Sequence, residues 1–178
     1  MQNLFMKEVL SYSFLFPQNF KDVKNINFNN PVLWILNNHL IPPHVGFSFE
    51  KKYYSLKAYG KDENVLVDNF LKRFNHKKIP IVFMEVNFNL KMDHLINVFN
   101  RYEYAGDLSS TCITPILQLF NLSKPTIILP ELLVYLHNNN CVKTSAFINQ
   151  KSNIVGIRKY SREEILSINQ EMKNVRRK

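Results

Sequence analysis

Pro42 and Pro43 stand side by side in the segment Ile41-Pro42-Pro43-His44-Val45-Gly46-Phe47-Ser48-Phe49. Neither ring carries a backbone N–H, and each biases the residue before it toward extended backbone, so a helix ends here. The residues after the prolines alternate. His44, Gly46 and Ser48 fall on one face and Val45, Phe47 and Phe49 on the other, the period of a strand with one apolar face. Glu50-Lys51-Lys52 reads as a turn and residues 53–59 as a returning strand ended by Gly60, although no Asn-Gly pair marks the turn. A hairpin headed by a histidine is the fixed point from which the other segments are read.

Upstream, the apolar run of residues 10–16 fits a strand but does not separate strand from helix, and residues 20–30 read as a polar loop. Pro31 after Asn30 suits the first turn of a helix, with Val32, Leu33, Leu36 and Leu40 as its apolar face. Downstream, Val67, Phe70, Leu71 and Phe74 recur at helical spacing, and Pro80 opens a strand over residues 81–88. Met92, Leu95, Ile96 and Phe99 give the clearest helix, residues 91–102. Ile113, Ile116, Leu117 and Phe120 predict another over residues 112–122, whose start Pro115 pins close to Cys112, since proline is tolerated only in a first turn. A proline-led helix comes next at residues 130–137, then strands near 145–148 and 153–160. Ser161 and Glu164 form a capping box that begins a last helix, about residues 162–174. The expected class is α+β, in one domain over residues 1–178.

Composition limits the functions open to such a domain. The net charge of +9 suits a polyanion such as nucleic acid or an anionic membrane surface, but the positive residues are scattered and no nucleic-acid motif accompanies them. Two cysteines, Cys112 and Cys141, are too few for a disulfide framework, and no closely spaced Cys/His cluster offers a metal site. Neither a metal nor a cofactor is expected. The first residues lack a signal-peptide pattern, and no window approaches the roughly 18 apolar residues of a membrane span, so a cytoplasmic or otherwise intracellular protein is expected.

A histidine on a strand and a cysteine at a helix start are the two parts of a thiol nucleophile. An imidazolium and a helix N-terminus together can depress a thiol from ~8.5 to between ~3.5 and 7.5. His44 and Cys112 are therefore the catalytic candidates. The segment VLWILNNHLIPPHVGFSF, residues 32–49, resembles the helix, turn and HVG strand of permuted NlpC-type papain-like thiol hydrolases, a superfamily that includes lecithin:retinol acyltransferase-like members. YEYAGDLSSTCITPILQLFNL, residues 102–122, is similar to their loop and cysteine helix, and PELLVYL, residues 130–136, to the helix that often comes after it. The resemblance covers residues 31–137 and has the family's order, histidine strand before cysteine helix.

That resemblance implies a papain-like fold of permuted topology, a small antiparallel sheet packed on a cysteine-bearing helix. It also implies a hydrolase or acyltransferase acting on an amide or ester of a peptide or lipid substrate. Cys112 would attack to give a thioester, His44 would serve as base, and the Cys112 backbone N–H would be one oxyanion donor. The family commonly sets a polar residue on the returning strand to orient the histidine; a turn at Glu50-Lys51 sets Lys57 there, whose charge would lower the histidine pKa. Asp107 and Tyr54 are further groove positions. The alternative is a catalytically inactive papain-like binding module using the same groove and the basic surface. Cys141, His39, His76, His94 and His137 read as bystanders.

Overall fold

The computed structural model describes residues 11–17, 19–105, 110–122, 127–150, 154–165 and 167–168. Its centre is a six-stranded antiparallel sheet built from β2 (Val32–Leu36), β3 (His44–Phe49), β4 (Lys52–Lys57), β5 (Gly60–Leu66), β6 (Ile81–Val86) and β7 (Val142–Ile148). The spatial order is β5-β4-β3-β2-β6-β7. A separate two-stranded sheet pairs β1 (Tyr12–Leu15) with β8 (Gly156–Arg158). The helices are α1 (Val67–His76), α2 (Met92–Phe99), α3 (Thr114–Leu119) and α4 (Leu129–Asn138), with a short 3-10 turn at Val23–Asn25. The class is α+β.

The expected helix before the prolines is instead β2. All five of its residues are buried, and it lies between β3 and β6. Val32, Trp34 and Leu36 pack on one side of the sheet with Tyr53, Phe83 and the buried face of α1, namely Val67, Phe70 and Phe74. Leu33 and Ile35 pack on the other with Val45, Phe47, Tyr54, Val82 and Met84 under α2, α3 and α4. A strand covered on both faces has no polar side, so its apolar run carries no period that separates strand from helix.

The β3–β4 hairpin has the anticipated turn. Glu50 and Lys51 both lie in the left-handed region (φ 48° and 59°), the geometry of a tight two-residue hairpin turn. Hydrogen bonds from the Lys51 N–H to the Phe28 carbonyl (2.8 Å) and from the Val67 N–H to the Lys51 carbonyl (3.0 Å) hold it. Gly60 does not end this unit but begins β5, which returns along β4 as the edge strand. Its φ of 108° is open to glycine and strained for other residues. The sheet is thus larger than expected.

Helices over residues 67–76, 92–99 and 129–138, and strands at β6 and β7, match the sequence reading closely. The capping box forms as read, with the Ser161 N–H donating to Glu164 (2.6 Å) and the Glu164 N–H donating to Ser161 Oγ (3.2 Å). Residues 162–165 are helical. The far end of that expected helix lies outside the described residues. Among the described residues, no helix is long and apolar enough to cross a membrane.

Candidate functional site

The site lies at one end of the sheet. His44 begins β3 beside Leu36, and carrying the β3–β4 register from Phe47↔Tyr54 to the end of the hairpin sets Lys57 opposite His44, as the turn position implied. The regular pairing of β3 with β4 stops at Phe47↔Tyr54. Beyond it the Lys57 carbonyl accepts from the Ala105 N–H (2.7 Å) on the chain leading to the cysteine. The regular pairing ends here, and the Cys112 sulfur lies near the backbone N–H of Val45, the residue after His44.

Cys112 does not belong to a helix. It occupies a turn two residues before α3, held by bonds from the Thr111 N–H to Thr114 Oγ1 (2.8 Å) and from the Thr114 N–H to the Thr111 carbonyl (3.0 Å). Pro115 lies in the first turn of the helix, which begins at Thr114. A thiolate depressed by a helix start is accordingly not what the surroundings produce. Burial pushes the Cys112 thiol up, and the opposing backbone N–H groups of Val45, Cys112 and Ile113 do not overcome it. His44 moves the other way, from 6.5 down to about 4: burial is the largest cause, Asp62 opposes it, and Lys57 adds to it. Both shifts favour the uncharged forms, a thiol at Cys112 and an imidazole at His44.

Asp62 is the acidic residue at this histidine, and sequence reasoning missed it. It lies on β5 opposite Ser55, next to an irregularity in the β4–β5 register where Asn64 is left-handed (φ 54°). Such a bulge re-aims side chains. Its carboxylate accepts from Ser55 Oγ (2.8 Å) and forms an ion pair with Lys57 Nζ (2.6 Å). Both oxygens are thereby engaged, and Asp62 acts on His44 through its charge. A strand reading Lys61-Asp62-Glu63 has no apolar alternation; Gly60 was the one available signal that the chain turns back.

Two tyrosines complete the surroundings. Tyr53 is fully buried between Trp34 (ring centroids 4.8 Å apart) and Phe70 (4.3 Å), and its hydroxyl lies over Gly46. That hydroxyl makes no hydrogen bond among the described residues; Ser55 lies beside it but donates to Asp62. Tyr160, from the stretch after β8, lies near Cys112 and the Leu129 backbone; burial pushes its phenol well above the usual range, and the nearby cysteine adds to this. Nothing in the residues around Tyr160 signalled that position.

Of the other candidates, Lys57 is at the site, whereas Tyr54 faces the helix side, 1% exposed, against Phe99 and with its hydroxyl toward Met92 Sδ (3.7 Å). Tyr54 is a core residue and walls no open groove. Asp107 lies outside the described residues. Cys141 is a partly buried thiol in a loop, 3.6 Å from the Asn139 carbonyl, and His76, His94 and His137 are exposed. No group of His, Cys, Asp and Glu suited to a metal ion occurs among the described residues. Compared with known protein families, characterised proteins and solved structures, the chain matches none.

Proposed function

We propose that the chain is a cysteine-dependent hydrolase or acyltransferase of permuted papain-like topology, cleaving an amide or ester bond through Cys112 and His44. The observation that carries this reading is that the Cys112 sulfur lies near the Val45 N–H, next in the chain to His44 at the end of the sheet. The order of the two residues and the acidic group at the histidine support it as well.

The neutral resting pair favours a concerted start over a preformed ion pair. As the Cys112 sulfur bonds to the substrate carbonyl carbon, His44 accepts the thiol proton and the carbonyl oxygen becomes an oxyanion. The Asp62 charge favours the imidazolium formed at that moment, although Lys57 offsets part of it. The imidazolium protonates the departing amine or alcohol, leaving a thioester on Cys112. Water, activated by neutral His44, or an acceptor nucleophile then releases the acyl group. The Cys112 backbone N–H is the oxyanion donor this scheme requires.

A second reading has its own observation. Asp62 is already neutralised by Lys57, and the partly buried thiol resists ionisation, a combination that suits a non-catalytic binding module retaining the fold. The two separate on a panel of activated esters, thioesters and amides. The hydrolase reading expects turnover abolished by Cys112→Ser and His44→Ala, with kcat/KM falling as pH drops through about 4, where His44 would protonate. Turnover unaffected by either substitution contradicts it.

A further inference from the structure

A cavity of about 380 Å³ opens at the same end of the sheet but two strands away, past the row Ile148–Ile81–Leu36 that continues to His44. Its lining includes Asn38, His39, Lys77, Lys78 and Gln150, with Tyr12, Ile79, Pro80 and Ile154 as apolar walls. Among the described residues, no carboxylate is part of that lining and neither lysine forms an ion pair.

The walls are fastened to one another by amide side chains. Asn38, buried, donates to the Gly156 carbonyl (3.2 Å) and accepts from Gln150 (2.9 Å). Asn149 donates to the Ile79 carbonyl (3.0 Å), and the Asn37 N–H donates to the Pro80 carbonyl (2.8 Å). The loops after β2, α1 and β7 are thereby joined to β8 as a frame, the preorganisation a ligand site needs.

Lys78 supplies an independent argument. Helices α1, α3 and α4 all end in the same paired hydrogen-bond motif. Ile79 N–H reaches the Phe74 carbonyl (3.0 Å), Leu122 the Leu117 carbonyl (2.8 Å) and Cys141 the Leu136 carbonyl (2.9 Å). The motif demands a left-handed residue, best filled by glycine and next by asparagine. Helices α3 and α4 use Asn121 (φ 57°) and Asn140 (φ 51°) there, while α1 uses Lys78 (φ 51°). Arg73 and Lys77 already place positive charge at the end of α1, so another cation adds little to the helix. Lys78 thus combines a left-handed position that favours glycine or asparagine with a place on the lining of this basic cavity.

We infer that this cavity binds the phosphate group of a small soluble phosphomonoester, with Lys77, Lys78 and His39 on the phosphate and the Tyr12, Ile79 and Pro80 walls on its organic part. The inference stands apart from the Cys112 and His44 chemistry. Phenyl phosphate is the probe, titrated into the 15N-labelled full-length chain and followed by amide shifts. Saturable shifts confined to residues 12, 37–40, 77–79, 150, 154 and 156, absent with phenol, are expected. Lys78→Gly should weaken binding about tenfold, the scale of one charge-assisted hydrogen bond. The same variant should raise Tm by a few degrees, since glycine suits the left-handed position, so the loss cannot be unfolding. Lys72→Ala, exposed on α1 outside the cavity, should leave affinity unchanged. Shifts spread over the basic surface, equal loss in Lys72→Ala, undiminished binding by Lys78→Gly, or a response to phosphatidic acid vesicles and not to phenyl phosphate would each overturn the inference.

Discussion

Gly46 is the glycine of the histidine strand, and the structure gives it a specific reason to lack a side chain. A Cβ built there would stand 2.6 Å from Tyr53 Cε2, with the ring carbon bearing the hydroxyl and the hydroxyl itself closer still. Ordinary carbon contacts begin near ~3.5 Å, so something must move. Tyr53 has nowhere to go: it is fully buried and wedged between Trp34 and Phe70. Gly46 is itself paired with Trp34 on β2. Gly46→Ala should therefore carry a cost at the upper end of the overpacking range, about 3 kcal/mol. Reduced freedom of the unfolded chain returns less than ~1 kcal/mol of this. The net loss is about 2 kcal/mol, and for a chain of this size Tm falls by roughly 4–8 °C.

Urea unfolding read by Trp34 fluorescence is a suitable assay, because the chain has one tryptophan and it touches Tyr53. The decisive comparison is a double-mutant cycle. In a Tyr53→Leu background the ring atoms that meet the new methyl are gone, and Gly46→Ala should cost under ~1 kcal/mol. Tyr53→Phe should give no relief, because the ring carbons remain. An unchanged midpoint for Gly46→Ala, or an equal loss in both backgrounds, would refute the steric argument.

Two further expectations concern the same hairpin. His44 has a folded pKa lowered from 6.5 to about 4, so between those values the unfolded chain binds the proton that the folded chain refuses. Its contribution to stability is complete above pH 6.5 and lost as pH falls toward 4, with a ceiling of about 3 kcal/mol; urea midpoints in that window should depend less on pH in His44→Gln. Glu50→Asn with Lys51→Gly fits the left-handed turn better than the native pair and should stabilise by about 1–2 kcal/mol, read as a higher Tm; a lower Tm would contradict the turn geometry.

What the sequence disclosed depended on whether a segment has one face or two. α2, with a half-apolar period, was legible from Met92, Leu95, Ile96 and Phe99, and so was the capping box at Ser161 and Glu164. β2 was not, because Val32 to Leu36 is buried on both sides and Pro31 mimics a helix start. β5 was hidden for the opposite reason: at a sheet edge its charged residues need no apolar partner. Missing β5 meant missing Asp62, and the histidine then had only Lys57 facing it. The resemblance to a known order named His44 and Cys112, and the structure sets the Cys112 sulfur near the backbone of Val45, the residue after His44. Lys57 foretold the downward direction at His44 but not burial as its main cause, and the upward shift of Cys112 was not foretold at all, since burial is a property of the assembled site. Tyr160 became a neighbour of Cys112 only through the return of the chain after β8.

The central claim is that Cys112 is a nucleophile served by His44. Intact-mass spectrometry of the full chain after brief exposure to an activated p-nitrophenyl ester at neutral pH tests it most directly. The account predicts one acyl adduct, mapped to Cys112, absent in Cys112→Ala and formed far more slowly in His44→Ala, with Cys141 unmodified. An adduct on Cys141 alone, or labelling of Cys112 at the same rate without His44, would contradict it.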